Sequence, residues 1–258
     1  MAQVHPTAVV HPGARLHETV EVGPYSIIGE RVTIGAGTHV GPHAVLSGRT
    51  TLGERNRVFP FAAVGGAPQD LKYRGEDTEL IIGDGNIIRE SATLNIGTTG
   101  GGGVTRVGHN NILMAYSHVA HDCVVGSGCV VANSVALAGH VTLEDFVILG
   151  GLAAVHQFTR VGKHAFIAGG SMVTMDVPPY CTAQGDRAEL SGLNVVGLQR
   201  HGFSEEQIGR VKEAYKILFR SKLGLTEAVA RLKAELGGQP EIDYLVDFVH
   251  QSKRGLTR

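Results

Sequence analysis

The acid–base chemistry of this chain concentrates in four histidines and one aspartate: His118, His121, Asp122, His140 and His156. An imidazole beside a carboxylate suits removal of a proton from a hydroxyl, because histidine is the side chain whose ordinary pKa lies nearest neutrality. Spacing adds geometry to this chemistry. His140 stands 18 residues after Asp122, and Gly139 stands 18 after His121. In a chain that stacks on itself every 18 residues, His140 lies over Asp122, about 4.8 Å along the stacking axis. Gly139 then covers His121, and its missing side chain leaves room beside the imidazole for a reacting hydroxyl. Adjacent residues of a strand point to opposite faces, so a His121–Asp122 side-chain bond requires a corner or a distorted strand. The other histidines lie mostly at corners near the N-terminus or in loops and read as solvated turn residues.

The element that positions these groups is a repeat of six. Aliphatic residues recur at six-residue steps from Val4 to Val64, continue at Ile82, Ile88 and Leu94, and run unbroken from Val107 to Val173. This period fits neither a helix nor simple strand alternation. It fits a parallel β-helix in which each hexad is one short strand plus a corner and three hexads close a coil. Glycine frequently follows the aliphatic residue, as at Gly23, Gly41, Gly126 and Gly162, consistent with tight corners. The period breaks twice, near 67–79 and near 97–106, and loops expelled from a rigid repeat commonly carry function.

Composition agrees with this architecture. Glycine supplies 36 of 258 residues and there is no tryptophan, so small aliphatic side chains must fill the core. A formal charge of −1 provides no global field for nucleic acid or an anionic membrane surface. The N-terminus lacks the pattern of a signal peptide and no apolar run reaches about 18 residues, which predicts a soluble cytoplasmic protein without an integral membrane segment. Cys123, Cys129 and Cys181 lack metal-type spacing and read as small buried hydrophobes.

The repeat stops at Asp176-Val177-Pro178-Pro179-Tyr180, where two prolines remove donors that another coil would need. We divide the chain into a β-helix at 1–186 and a small α-helical domain at 187–258. A capping box at Ser204 to Gln207 predicts a helix to about Arg220. Thr226 is expected to cap a second helix that ends before Gly237-Gly238, and Pro240 to open a third.

The segments His118-Val119-Ala120-His121-Asp122-Cys123, Leu137-Ala138-Gly139-His140-Val141 and Ala154-Val155-His156-Gln157-Phe158 resemble the UDP-N-acetylglucosamine acyltransferase family. So do Gln69-Asp70-Leu71-Lys72-Tyr73 in the first interruption, Arg89-Glu90-Ser91 before the second, and Arg200 with Gly202-Phe203-Ser204 in the tail. The resemblance covers essentially the whole chain. It implies a mainly β protein, a left-handed parallel β-helix followed by helices, that assembles as a homotrimer with active sites between subunits. It implies transfer of a 3-hydroxyacyl chain from acyl carrier protein to the 3-hydroxyl of UDP-N-acetylglucosamine, the first step of lipid A synthesis, without a cofactor or metal.

By the same resemblance His121 is the general base and Asp122 its supporting carboxylate; the oxyanion that develops needs a backbone N–H, and Gly139 is the candidate to supply it. Gln69, Asp70, Lys72, Asn95, His118, His140, His156 and Gln157 line the substrate site, Asn194 and Arg200 meet the uridine, and Gly169 is the acyl-length ruler. Basic residues of the tail, Arg210, Lys212, Lys216, Arg220 and Lys222, are candidates to dock the acidic carrier protein. Four positions depart from the family pattern. Val196 and His201 replace the usual Glu and Arg, and Asn95-Ile96 replaces the usual His-Arg. The Asn95 site raises an alternative, N-acylation of the 3-amino analogue, since an amine needs less help from a base. The loss of the arginine at Ile96 is expected to remove a cation near the site. A further alternative is a trimeric zinc-dependent hydratase like the γ-class carbonic anhydrases, although their H-x4-H ligand spacing is absent.

Overall fold

The computed structural model describes residues 2–258. Short parallel strands, most of only two residues, form three sheets of eleven, nine and eight strands that we call the first, second and third faces. The chain visits the faces in turn, and consecutive coils pair in register: His118 with Ala136, Ala136 with Ala154, and Ala154 with Met172 on the second face. In the two-residue strands the second residue points inward. Leu46, Leu113, Leu137 and Leu149 are fully buried in this aliphatic stack, each contributing roughly 1.5–3 kcal/mol by its removal from water.

The corners differ in detail from the expectation. Glycines such as Gly23 and Gly126 follow the strands because the next coil passes too close for a side chain. A Cβ on Gly126 would lie 2.8 Å from backbone atoms of Glu144 and Asp145. The left-handed backbone position of each corner is instead filled mostly by non-glycine residues, among them Asp122, His140 and Phe158 at φ 59°, 62° and 64°. That conformation is unfavourable for a side-chain-bearing residue. Hydrogen bonds between coils offset it: His140 N–H donates to the His121 carbonyl at 3.1 Å, and Phe158 N–H to the Gly139 carbonyl at 3.2 Å. A second internal device is a buried asparagine ladder. The Asn56 and Asn86 side-chain oxygens accept the backbone N–H of Asn86 and Asn111, locking coil to coil.

The two interruptions leave the coil as expected, with one correction of extent. The first runs between strands Ala63–Gly66 and Glu79–Ile82. The second is shorter than 97–106, because a strand resumes at Val104–Val107 after a single tight turn at Thr99–Gly101.

Beyond the coils, strands Cys181–Gln184 and Glu189–Leu193 form an antiparallel hairpin, so the division proposed at 186 falls in its turn. Four helices follow: α1 (Val195–Arg200), α2 (Glu205–Tyr215), α3 (Leu225–Leu236) and α4 (Pro240–Gln251). The Ser204–Gln207 capping box is present, and α2 continues through a π-helical turn, Lys216–Arg220. Thr226 is not a cap: α3 begins at Leu225 with Gly224 before it. The short α1, unforeseen from the sequence, is capped by the Asn194 side chain. The C-terminus folds back onto the last coil, where Thr257 N–H donates to the Asp176 carbonyl and the Ser252 hydroxyl to the Asp176 carboxylate. No helix among the described residues is long and apolar enough to cross a membrane.

Candidate active site

His121 and Asp122 share the corner between the second and third faces. Because the chain turns at Asp122, the two side chains point the same way, and His121 Nδ1 lies 2.7 Å from Asp122 Oδ2. A carboxylate only accepts, so Nδ1 carries the hydrogen and Nε2 presents its lone pair. The room foreseen beside it is not left open: the imidazole itself takes up the space freed by the missing side chain of Gly139 on the next coil. A Cβ on Gly139 would stand 2.7 Å from His121 Nε2 and 2.6 Å from Cε1, closer than such atoms approach. The Gly139 N–H has no acceptor among the described residues.

Asp122 is held more firmly than the sequence suggested. Its side chain is 0% exposed. Thr98 N–H donates to Oδ1 at 2.8 Å and the Thr98 hydroxyl donates to Oδ2 at 2.6 Å. The Asp122 N–H donates to the Thr105 hydroxyl at 2.8 Å. Gly101 closes over the carboxylate, where a Cβ would fall 2.0 Å from Asp122 Cγ. Sequence reasoning did not single out Thr98 or Gly101; the signals were the interruption near 97–106 that contains both and its glycine run Gly100–Gly103.

His140 lies over Asp122 as the 18-residue spacing requires, with Nε2 at 3.8 Å from Oδ2. It meets the His121 ring edge-on at 5.2 Å and stacks on Phe158 at 4.3 Å. Burial pushes its pKa down, opposed by the charges of Asp122 and Asp70. Burial likewise lowers His118, reinforced by the His121 charge, and the Thr93 hydroxyl holds its Nδ1 at 2.7 Å. Burial thus favours the neutral form of both rings. His121, Asp122 and His140 form a cluster with donor atoms near enough for a metal ion. Asp122, however, is itself fully buried and already accepts from three donors, which suits a proton-transfer dyad better than a cation.

An apolar groove of about 410 Å³ runs along the second face from His118 to Met172, floored by Ala136 and Ala154 and edged by His156. His118 precedes His121 by three residues on one coil, so the groove opens beside the dyad. His156 does not join the histidine cluster. Its Nδ1 lies 2.9 Å from Arg254 Nη2, a contact from the returning C-terminus. Gln69, Lys72 and Gln157 are exposed, and Gly169 sits on an exposed corner of the groove's last coil.

Two expectations change. Asn95 is buried, with its Nδ2 3.4 Å from the Gly66 carbonyl and its side-chain oxygen unpartnered. Ile96 is a core residue, 3% exposed, so position 96 contributes packing here and not a site group. Asn194 and Arg200 are not brought to the dyad within one chain. Asn194 donates to the His164 carbonyl at 2.9 Å, at the corner between the third and first faces. Arg200 ends α1 at that same corner, where the next residue, His201, packs 4.6 Å from the Phe146 ring.

Comparison with known proteins agrees with this geometry. Residues 176–257 match the family model described as UDP N-acetylglucosamine O-acyltransferase, domain 2, and residues 13–48 and 105–139 match the bacterial transferase hexapeptide model. The acyl-[acyl-carrier-protein]–UDP-N-acetylglucosamine O-acyltransferase of Myxococcus xanthus is 74% identical over 100% of both chains, and that of Thiobacillus denitrificans 54% over 100% of both. The UDP-N-acetylglucosamine acyltransferase structure from Francisella novicida superposes with a TM-score of 0.96 at 41% identity, covering 99% of this chain and 94% of that one. The Arabidopsis counterpart gives 0.86 at 36% identity, covering 99% and 100%. With relatives this similar along its whole length, the chain belongs to the UDP-N-acetylglucosamine O-acyltransferase family of hexapeptide-repeat transferases.

Proposed function

We propose that this protein transfers a 3-hydroxyacyl chain from acyl carrier protein to the 3-hydroxyl of UDP-N-acetylglucosamine, opening lipid A synthesis in the cytoplasm. The observation that carries this reading is the His121–Asp122 dyad, its imidazole packed against Gly139 and standing beside an apolar groove. His121 Nε2 takes the proton of the sugar hydroxyl as its oxygen attacks the thioester carbonyl, a contribution of roughly 10²- to 10⁴-fold. The Gly139 N–H donates to the oxyanion that forms. When the C–S bond breaks, the imidazolium returns its proton to the departing sulfur, and Asp122 steadies the ring in both states. The acyl chain lies along Ala136 and Ala154, while His118, His140, Gln157, Asp70, Gln69 and Lys72 surround the sugar and the thioester arm.

The protein acts as a homotrimer. The groups read as nucleotide contacts, Asn194 and Arg200, stand at a different corner of the prism from the dyad. A neighbouring copy completes the site by presenting that corner to the dyad. Lys212 and Lys222 are the best-placed docking groups for the acidic carrier protein, because Arg210 and Lys216 are ion-paired with Glu241, Glu206 and Glu213, and Arg220 hydrogen-bonds Leu190 and Tyr215. Turnover of 3-hydroxyacyl carrier protein with UDP-N-acetylglucosamine, and with its 3-amino analogue in parallel, tests the reading. Efficient O-acylation supports it. A tenfold or greater preference for the amine would transfer the assignment to N-acylation, and zinc-dependent hydration without acyl transfer would refute both.

A further inference from the structure

The second interruption does more than leave the coil. It returns to place two donors of one residue on the buried carboxylate of the dyad, from 24 residues earlier in sequence. Asp122 Oδ2 is shared: it accepts from the Thr98 hydroxyl at 2.6 Å and from His121 Nδ1 at 2.7 Å, while Oδ1 accepts the Thr98 N–H at 2.8 Å. With one donor on each oxygen from a single residue, the carboxylate plane cannot rotate about its χ2 bond without breaking one of them. The plane decides where the Oδ2 lone pair points, and that direction orients the imidazole and hence Nε2. The surroundings offer no solvent to replace either donor, since Asp122 has a fully buried side chain and Gly101 covers it.

We propose that Thr98 is a positioning residue of the reaction, a third member of a Thr98–Asp122–His121 chain through which the second interruption sets the aim of the catalytic base. The inference rests on His121 being that base. Thr98 touches neither substrate nor reacting atoms; it acts through Asp122. Its N–H supplies half of the clamp from the backbone and is insensitive to substitution, whereas its hydroxyl supplies the half that bears on the oxygen facing His121.

The test compares Thr98→Val, which keeps the shape and the N–H but deletes the hydroxyl, with Thr98→Ser, which restores it. In the valine variant kcat is expected to fall by about tenfold to a hundredfold, the scale of a base displaced by a fraction of an ångström, with KM for UDP-N-acetylglucosamine within about threefold of the parent. The serine variant is expected to recover most of kcat. An activity-independent signature accompanies this: the downfield proton resonance of the carboxylate-bound His121 Nδ1–H should persist in the parent and in Thr98→Ser, and broaden or vanish in Thr98→Val. Thr98→Ala, which buries no extra methyl, carries the same expectation should the valine variant fail to fold. A valine or alanine variant with parental kcat overturns the proposal, as does a serine variant as slow as the valine one with the resonance unchanged. Absence of acyl transfer by the parent would count against the proposed reaction instead, and the resonance comparison would still decide whether Thr98 holds the dyad.

Discussion

Gly139→Ala is the sharpest perturbation of this site, because it adds one methyl and deletes nothing. The new Cβ would stand 2.6 Å from His121 Cε1, 2.7 Å from Nε2 and 3.2 Å from Nδ1, so it meets the ring broadside. Ordinary carbon contacts begin near 3.5 Å, so the imidazole must retreat by roughly 0.8–0.9 Å. It cannot do so in place: Nδ1 is tied to Asp122, and Asp122 is clamped by Thr98. Either the Nδ1–Asp122 bond stretches or the ring rotates off it, and Nε2 moves away from the hydroxyl it serves. A displacement of about 1 Å commonly costs about 10²-fold in rate, which corresponds to roughly 2.7 kcal/mol of barrier. The coil should survive, since Gly139 is absent from the left-handed backbone positions and alanine is compatible with its conformation. The assay is steady-state transfer from 3-hydroxyacyl carrier protein to UDP-N-acetylglucosamine, read beside thermal unfolding of the same preparation. A variant with kcat/KM within threefold of the parent would refute the reasoning, because it would mean the reacting groups do not depend on how closely His121 packs against Gly139.

Four other outcomes follow from the same structure. His121→Ala should abolish turnover while the protein still assembles and melts near the parental temperature, since a side chain at a cleft corner contributes to the barrier and little to the core; near-parental activity in folded protein would remove His121 from its role. Gly169, read as the acyl-length ruler, offers no side chain to block a long chain, so donors of about fourteen carbons should outperform ten-carbon donors, each further buried methylene being worth roughly 0.8 kcal/mol, and Gly169→Met should shorten the preferred chain; unchanged selectivity in that variant would dismiss the ruler. Lys212→Glu combined with Lys222→Glu should raise the apparent KM for the carrier-protein donor, more at low salt than at high, and an unchanged KM would return both to an ordinary solvated surface. Burial, aided by the charges of His201 and Lys163, lowers the His164 pKa to about 4 from 6.5. The unfolded chain then binds more protons than the folded one in this window, so stability should fall as pH drops from 6.5 toward 4. His164→Phe, which keeps the stack on Phe146, should melt with a weaker pH dependence there, and an identical dependence would contradict the assignment.

What the sequence determined by itself was everything the repeat can carry. In parallel coils that pair in register, a step of 18 residues is a step of one coil, so sequence distance converts directly into position. That is why His140 over Asp122, Gly139 over His121 and the aliphatic core from Val107 to Val173 were readable before any coordinates. The left-handed backbone at Asp122 that lets adjacent side chains meet is a property of the same corner, repeated at His140 and Phe158. Tertiary structure decided whatever lies off that lattice. Thr98 and Gly101 reach Asp122 through an excursion whose path obeys no period, and Arg254 reaches His156 from 98 residues away through the returning tail. Ile96 turned inward because the coil still needed an aliphatic residue there, and Asn194 and Arg200 went to another corner because the hairpin and α1 leave the prism on that side. A repeat specifies contacts by arithmetic; an excursion or a terminus specifies them only by the free energy of where its side chains can be satisfied, and that is settled in three dimensions.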